Sequence, residues 1–303
     1  MAHMGFRRAH FSLGRLMALA IPGALVAASV AAWDGLADHT KPRRIIAMAP
    51  NSAEVVCALG ACERIVGVSK FCVFPAELKE RPLIGGLYDP DLEKIISLRP
   101  DLLITRGRNE SLERVCEQMK VPIYHDETDT LAGIEKCVRE LGKMLDRDDA
   151  AEKLVGDFRS RLDAIRARTR NKTKPRVMLT VSRQPDRLAN ILTTGRGTFL
   201  DEMIDIAGGV NVFGDIDMIY PEVSAEAIIA KQPQVIIELI PEVKLTDELE
   251  SRMREQWRRL GSIPAVTDDR VYFLTDDNGL IPSPRYVEFV EKVSRLLHSE
   301  GDR

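Results

Sequence analysis

Residues 147–170 read Arg147-Asp-Asp-Ala-Ala-Glu-Lys-Leu-Val-Gly-Asp-Phe-Arg-Ser-Arg-Leu-Asp-Ala-Ile-Arg-Ala-Arg-Thr-Arg170, and this stretch divides the chain. It holds no proline and a single glycine. Leu154, Phe158, Leu162 and Ile165 recur at spacings of four, four and three. That recurrence is the apolar stripe of one helical face, with charge covering the rest. At 1.5 Å per residue a helix of this length measures roughly 36 Å. A flexible linker is rich in Gly and Ser, and this one is not, so the stretch reads as a rigid strut.

On both sides of the strut, short apolar runs alternate with helical patterns. In the first half strands are expected at 44–49, 64–69, 101–105 and 121–124, and helices at 53–59, 92–98 and 110–119. Ser52 is the expected cap of the first helix and Gly60 its stop. In the second half strands are expected at 176–181, 234–239 and 270–274, and helices at 199–207, 225–230, 249–260 and 283–298. Ser224 caps the second of these helices, and Pro284 sits in the first turn of the last, where a missing N–H is harmless. A helix–Pro–strand phrase occurs in each half, as Ser97-Leu-Arg-Pro-Asp-Leu-Leu-Ile104 and Ala230-Lys-Gln-Pro-Gln-Val-Ile-Ile237. This is an internal repeat on the scale of a lobe. The expected fold class is α/β: two Rossmann-like lobes with mostly parallel sheets, joined by a single long rigid α-helix. The lobes are expected at 41–146 and 172–303, with the linking helix at 147–171. Ligands bind at strand ends and domain interfaces, so the expected ligand cleft lies between the lobes.

Residues 1–40 are of a different kind. Arg7, Arg8 and Arg15 precede an apolar run from Leu16 to Ala32, which ends in small residues. This order reads as a secretory signal or an N-terminal membrane anchor, and the expected location is periplasmic. An oxidising compartment permits disulfides. Cys57 and Cys62 stand five apart near a helix end, and two readings stay open for them, a bond or a pair of buried thiols.

The remaining composition excludes more than it selects. Lys+Arg 43 against Asp+Glu 46 leaves a net charge of −3, without the clustered basic surface that nucleic acid requires. The 303 residues and 45% apolar content suit a globular chain of one large or two ordinary domains. No nucleophile elbow, zinc-protease, Walker or dinucleotide fingerprint occurs, and His125 and His298 stand apart in the mature chain, at a strand end and at the tail. The expectation is a protein that is not an enzyme and has no cofactor of its own.

The strand-end loops carry the remaining signal: Ser69-Lys-Phe-Cys-Val-Phe-Pro75, Gly85-Gly-Leu-Tyr-Asp-Pro90, Thr193-Thr-Gly-Arg-Gly197, Asp217-Met-Ile-Tyr-Pro221 and Asp276-Asp-Asn-Gly279. Phe71, Phe74, Tyr88 and Tyr220 all fall on them. Aromatic rings beside a few polar groups suit a bulky, partly apolar ligand.

Taken in order, several phrases resemble the substrate-binding proteins of ABC importers, in the class with one rigid linking helix. They are Arg44-Ile-Ile-Ala-Met-Ala-Pro-Asn-Ser-Ala-Glu54, Leu59-Gly-Ala61, Ile65-Val-Gly-Val-Ser69, Pro90-Asp-Leu-Glu-Lys-Ile95, Leu98-Arg-Pro-Asp-Leu-Leu-Ile104 and Pro282-Ser-Pro-Arg285. The likeness covers about residues 43 to 298. Members of this class bind cobalamin, ferric siderophores or haem between lobes that move little. The resemblance implies a monomer that carries a cobalt or iron chelate to an ABC permease and its ATPase, with no nucleic acid partner. Contact with the membrane is then only by docking or through the N-terminal anchor. It implies one docking carboxylate per lobe: Glu110 after Asp101-Leu-Leu-Ile-Thr105, and Glu226 in Val223-Ser-Ala-Glu226.

For the ligand, Phe71-Cys-Val-Phe-Pro75 stands where cobalamin-binding members have an aromatic-rich stretch, which favours cobalamin or a related corrinoid. The expected ligand-binding residues are Asn51, Phe71, Cys72, Phe74, Tyr88, Arg196, Tyr220 and Asn278. Cys72 and Tyr88 are the candidate metal contacts. Tyr88 and Tyr220 keep haem open, and Arg106, Arg183 and Arg196 keep ferric siderophores open. A reading from another class is a metal-tetrapyrrole chelatase, which requires a His and carboxylates converging in the cleft.

Overall fold

The computed structural model describes residues 41–298 apart from Glu242. The export segment expected at 1–40 lies outside the described residues, as do residues 299–303.

The first lobe is built on β1 (Ile45–Ala47), β2 (Ile65–Val68), β3 (Leu102–Arg106) and β4 (Ile123–Asp126), in the order β2-β1-β3-β4. All three pairings are parallel, with Ile45 opposite Leu102 and Leu103 opposite Ile123. Every residue of β1 is buried, because parallel strands covered by helices on both faces must be apolar on both. Helices α1 (Pro50–Ala58), α2 (Leu92–Leu98) and α3 (Glu110–Met119) follow the strands. The helix α1 begins earlier than Ser52 predicts. Pro50 stands at its first position and Ala49 is the N-cap, so Ser52 lies inside the helix, where its hydroxyl bonds Asp126. Cys57 and Cys62 are joined as a disulfide at the end of α1, while Cys72, Cys116 and Cys137 are buried free thiols.

A further helix, α4 (Leu131–Leu145), has no counterpart in the sequence reading. Its buried stripe of Leu131, Ile134, Val138, Leu141 and Leu145 follows helical spacing. Leu131 and Ile134 pack with the core of the second lobe, whereas Val138, Leu141 and Leu145 pack with that of the first. The linking helix α5 (Asp148–Thr169) is shared in the same way. Ala151 and Val155 are core residues of the first lobe, and Phe158, Leu162 and Ile165 of the second. One stripe therefore feeds two cores. Bending the strut withdraws side chains whose burial stabilises by about 1.5–3 kcal/mol each. Ion pairs reinforce it: Arg159 engages Glu135 of α4, Arg139 of α4 engages Glu152, and Arg161 meets Glu291.

The second lobe contains β5 (Arg176–Ser182), β6 (Ile191–Thr193), β7 (Val210–Asn211), β8 (Glu222–Val223), β9 (Val235–Leu239) and β10 (Val271–Leu274). Their order is β10-β9-β5-β6-β8, with β7 beside β5. The β10–β9, β9–β5 and β5–β7 pairs are parallel, while β5–β6 and β6–β8 are antiparallel. Helices α6 (Phe199–Ile206), α7 (Ala225–Lys231), α8 (Asp247–Arg258), α9 (Pro264–Thr267) and α10 (Tyr286–His298) complete it. Ser224 caps α7 as expected, accepting a hydrogen bond from the Ala227 N–H. At the tail, the His298 ring bonds the Ala207 carbonyl. No described helix is long and apolar enough to cross a membrane.

Candidate ligand cleft between the lobes

Parallel strands place their C-terminal ends, and the loops that follow, on one edge of each sheet. Backbone hydrogen bonds join the lobes at that edge. The Phe199 N–H donates to the Asp129 carbonyl at 2.7 Å, and the Leu131 N–H donates to Glu202 Oε2 at 2.7 Å. A second seam runs from Glu54 on α1 to the segment before α10. Ser283 Oγ donates to Glu54 Oε2 at 2.6 Å, and Arg285 Nη2 donates to Glu54 Oε1 at 2.7 Å. Glu54 is 5% exposed. The Arg285 guanidinium also lies 3.9 Å from the centre of the Phe74 ring, a cation–π contact.

From the first lobe, two loops bring aromatic rings to the surface. In the loop after β2, Phe71 and Phe74 are each 41% exposed, whereas Cys72 between them is buried. The Lys70 N–H donates to the Gly85 carbonyl, tying this loop to the turn that carries Tyr88. Tyr88 is 93% exposed. These are large rings left in water, which a soluble surface rarely offers together without a partner.

The structure corrects the reading of Cys72. Its Sγ lies 3.6 Å from the Ala47 carbonyl and 3.5 Å from Ser69 Oγ, within the core of the lobe. Burial pushes its thiol up to about 11. Cys72 lies among the core side chains of the first lobe and is 3% exposed. Asn51 is corrected likewise. It is buried, and its Nδ2 donates to Thr128 Oγ1 at 3.0 Å, bracing the end of β4 from below. Arg106 Nη1 shares that Thr128 hydroxyl at 2.8 Å, and Arg106 also pairs with Asp129. The side chain stays one-third exposed while Thr128, Asp129 and Asp126 fix it.

The second lobe supplies apolar side chains that the sequence reading missed. Met218 and Ile219 are exposed large hydrophobics, next to Tyr220. Tyr220 packs partly on the core of this lobe. Burial raises its phenol, with the charges of Arg106 lowering it and Asp129 raising it; residues of the two lobes thus converge here. The 193–197 loop is zipped to this segment: the Gly195 N–H donates to the Ile219 carbonyl and the Arg196 N–H to the Ile216 carbonyl, both at 3.0 Å. A Cβ on Gly195 would stand 1.9 Å from the Met218 carbonyl oxygen. Only glycine lets the strands of this loop approach so closely. Gly195→Ala is expected to cost about 1–3 kcal/mol by overpacking and to speed amide exchange at Gly195. Unchanged exchange and melting temperature would contradict this role.

Arg196 is exposed, with its Nε donating to the Gly214 carbonyl at 3.0 Å. Asn278 is buried in the 3-10 turn Asp277–Leu280 and does not reach out as a ligand-binding residue is expected to. Arg183 is likewise removed from the cleft reading, since it forms a buried ion pair with Glu238 at 2.7 Å. Glu110 and Glu226 are both exposed in the first turns of α3 and α7. The Ser224 hydroxyl and the residue's own backbone N–H hold the Glu226 carboxyl below its ordinary value. Among the described residues no three His, Cys, Asp or Glu side chains are placed to hold a metal ion.

The chain matches the family described as periplasmic binding protein over residues 45–278. It is 30% identical over 265 residues to the vitamin B12-binding protein of Vibrio cholerae, covering 86% of this chain and 91% of that one. The crystal structure of the periplasmic vitamin B12 binding protein of Vibrio cholerae superposes with a TM-score of 0.70 at 29% identity, over 85% of this chain and 97% of the other. A periplasmic heme binding protein from Pseudomonas aeruginosa superposes with a TM-score of 0.74 at 25% identity, over 86% and 94%.

Proposed function

Since the chain belongs to the periplasmic binding protein family, we propose that it is the substrate-binding component of an ABC importer that captures a corrinoid such as cobalamin. One observation carries this reading. Phe71, Phe74 and Tyr88 stand exposed on two joined loops of the first lobe, and Met218 and Ile219 stand exposed on the second. A flat, partly apolar macrocycle suits exposed apolar side chains on both lobes, and its burial supplies the affinity. Relatives at 30% identity that are named vitamin B12-binding proteins support the same choice. The lobes stay nearly fixed, because the shared helices α4 and α5 and the Glu54 seam tie them together. Delivery runs through Glu110 and Glu226, which meet cations on the permease. The N-terminal segment exports the chain, which works as a monomer.

Haem or a ferric siderophore is the second reading. It is favoured by Tyr88, whose exposure leaves the phenol free to approach iron, and by the partly exposed Arg106, which suits a carboxylate on the ligand.

Spectral titration of the purified protein with cyanocobalamin, haemin and a ferric siderophore separates these readings. Saturable binding of cyanocobalamin is expected. The double substitution Phe71→Ala and Phe74→Ala is expected to weaken it at least about 10-fold, the equivalent of ~1.4 kcal/mol. Binding of none of the three probes would sink the ligand class.

A further inference from the structure

The pole opposite the cleft carries a chemistry that cargo capture leaves unused. From the last turn of α5 into β5 the sequence runs Arg166-Ala-Arg-Thr-Arg-Asn-Lys-Thr-Lys-Pro-Arg176, with a cation at every second position. All six cations are exposed. Two carboxylates answer them: Asp163 pairs with Arg166 at 2.8 Å and Asp205 with Lys174 at 2.7 Å. Cations in the last turn of a helix complement its dipole, which accounts for Arg166 and Arg168. Arg176 donates to the Lys231 carbonyl at the end of α7; Arg170, Lys172 and Lys174 lie beyond the last turn of α5, and no helix end accounts for them.

The surface here is concave. A cavity of about 380 Å³ is lined by Arg166, Arg170, Lys174 and Asp205. Another of about 530 Å³ is lined by Lys172, Gln234, Arg270 and His298. Burial, with the charges of Lys172 and Arg270 added, holds the His298 imidazole below its ordinary value against its bond to the Ala207 carbonyl. The local potential is therefore positive although the whole chain carries −3.

The first described residues lie at the start of α5, the other end of the helix that leads into the strip. Arg64 donates to the Pro42 and Leu145 carbonyls, and Lys41 pairs with Asp146 beside the start of α5. The apolar run that ends at Ala32 stands only eight residues before Lys41 in sequence.

We propose that the 166–176 strip and its two cavities are a docking surface for the anionic headgroups of a phospholipid bilayer. Headgroup phosphates seat in the two hollows, and the alternating cations bind the surrounding negative surface. The strand-end loops then face away from the lipid, so the cleft stays open to ligand.

Co-sedimentation tests this with the full chain and vesicles of phosphatidylglycerol and phosphatidylcholine in equal parts, against pure phosphatidylcholine. Binding to the anionic vesicles above that to the neutral ones, lost as salt is raised, is expected. Charge reversal of three cations (Arg168→Glu, Arg170→Glu and Lys172→Glu) is expected to lower the partition coefficient about 100-fold. The same charge change made elsewhere, with Lys79→Glu, Lys94→Glu and Arg252→Glu, is expected to leave most of the binding in place. Circular dichroism and ligand titration check that both variants are folded. Equal binding to the two vesicle types, or equal losses in the two variants, would overturn the proposal. So would full displacement by soluble polyphosphate at matched phosphate concentration, which would make the strip a site for free polyanions.

Discussion

Reversing Glu110 and Glu226 together to Lys is expected to abolish uptake while the affinity for ligand stays unchanged. The two carboxylates occupy equivalent places, Glu110 at the first position of α3 and Glu226 at the second of α7. Both helices begin just past the ends of strands, on the edge where the cleft opens. Both side chains are exposed, and neither packs in a core. Their caps are intact without them, since Asn109 accepts from the Leu112 N–H and Ser224 from the Ala227 N–H. A Lys in the first turn opposes the helix dipole at a cost of roughly 0.3–1 kcal/mol, too little to unfold the chain. The effect is on docking. Charges at the rim of an interface govern encounter rate and register, and reversing one on each lobe turns two attractions into two repulsions. Either single reversal is expected to leave partial uptake. The measurement is accumulation of labelled ligand in cells whose own carrier is deleted, beside a titration of each purified variant. Normal uptake by the double variant would remove both residues from docking.

Periodicity made the strut legible, and the α/β alternation located most of the strands and helices. Helix α3 begins and ends where its pattern predicts, and Ser224 caps α7. The misses have physical causes. At α1, a proline at the first turn started the helix before the serine that looks like a cap. The short antiparallel strands β6 and β8 lack the apolar run that marks a parallel strand. The helix α4 has helical spacing in 131–145 but was obscured by the polar residues around it. Phe71, Phe74 and Tyr88, expected as ligand-binding residues, are exposed. Residue type could not separate them from Cys72 and Asn51, because in a loop neighbouring side chains turn to opposite sides and only the packing decides which faces water. Met218 and Ile219 stand in a loop singled out for Tyr220 alone, since hydrophobicity by itself does not show that a side chain is left uncovered.

Glu54 shows most clearly what sequence order hides. It stands in the phrase that carries the family resemblance, yet its partners Ser283 and Arg285 are more than two hundred residues away. Removing the carboxylate by Glu54→Ala takes away one side of an ion pair whose Arg285 side chain is only 16% exposed. Breaking a buried pair from one side costs about 3–5 kcal/mol. The lower end is expected here, because the Phe74 ring still covers one face of the guanidinium. At 2–4 °C per kcal/mol for a chain of this size, the melting temperature is expected to fall by roughly 6–12 °C. Replacing both partners by Met removes both charges from the seam and is expected to restore most of that loss. The pair's distinct contribution is geometric. It fixes the second lobe to α1 and holds Phe74 under Arg285 at the mouth of the cleft. The Met pair is therefore expected to recover stability without recovering affinity, with ligand binding weaker and the spread of lobe-to-lobe distances, measured by spin labels, broader than in the wild type. A double variant with wild-type affinity and an unchanged distance distribution would reduce the seam to an ordinary packing contact.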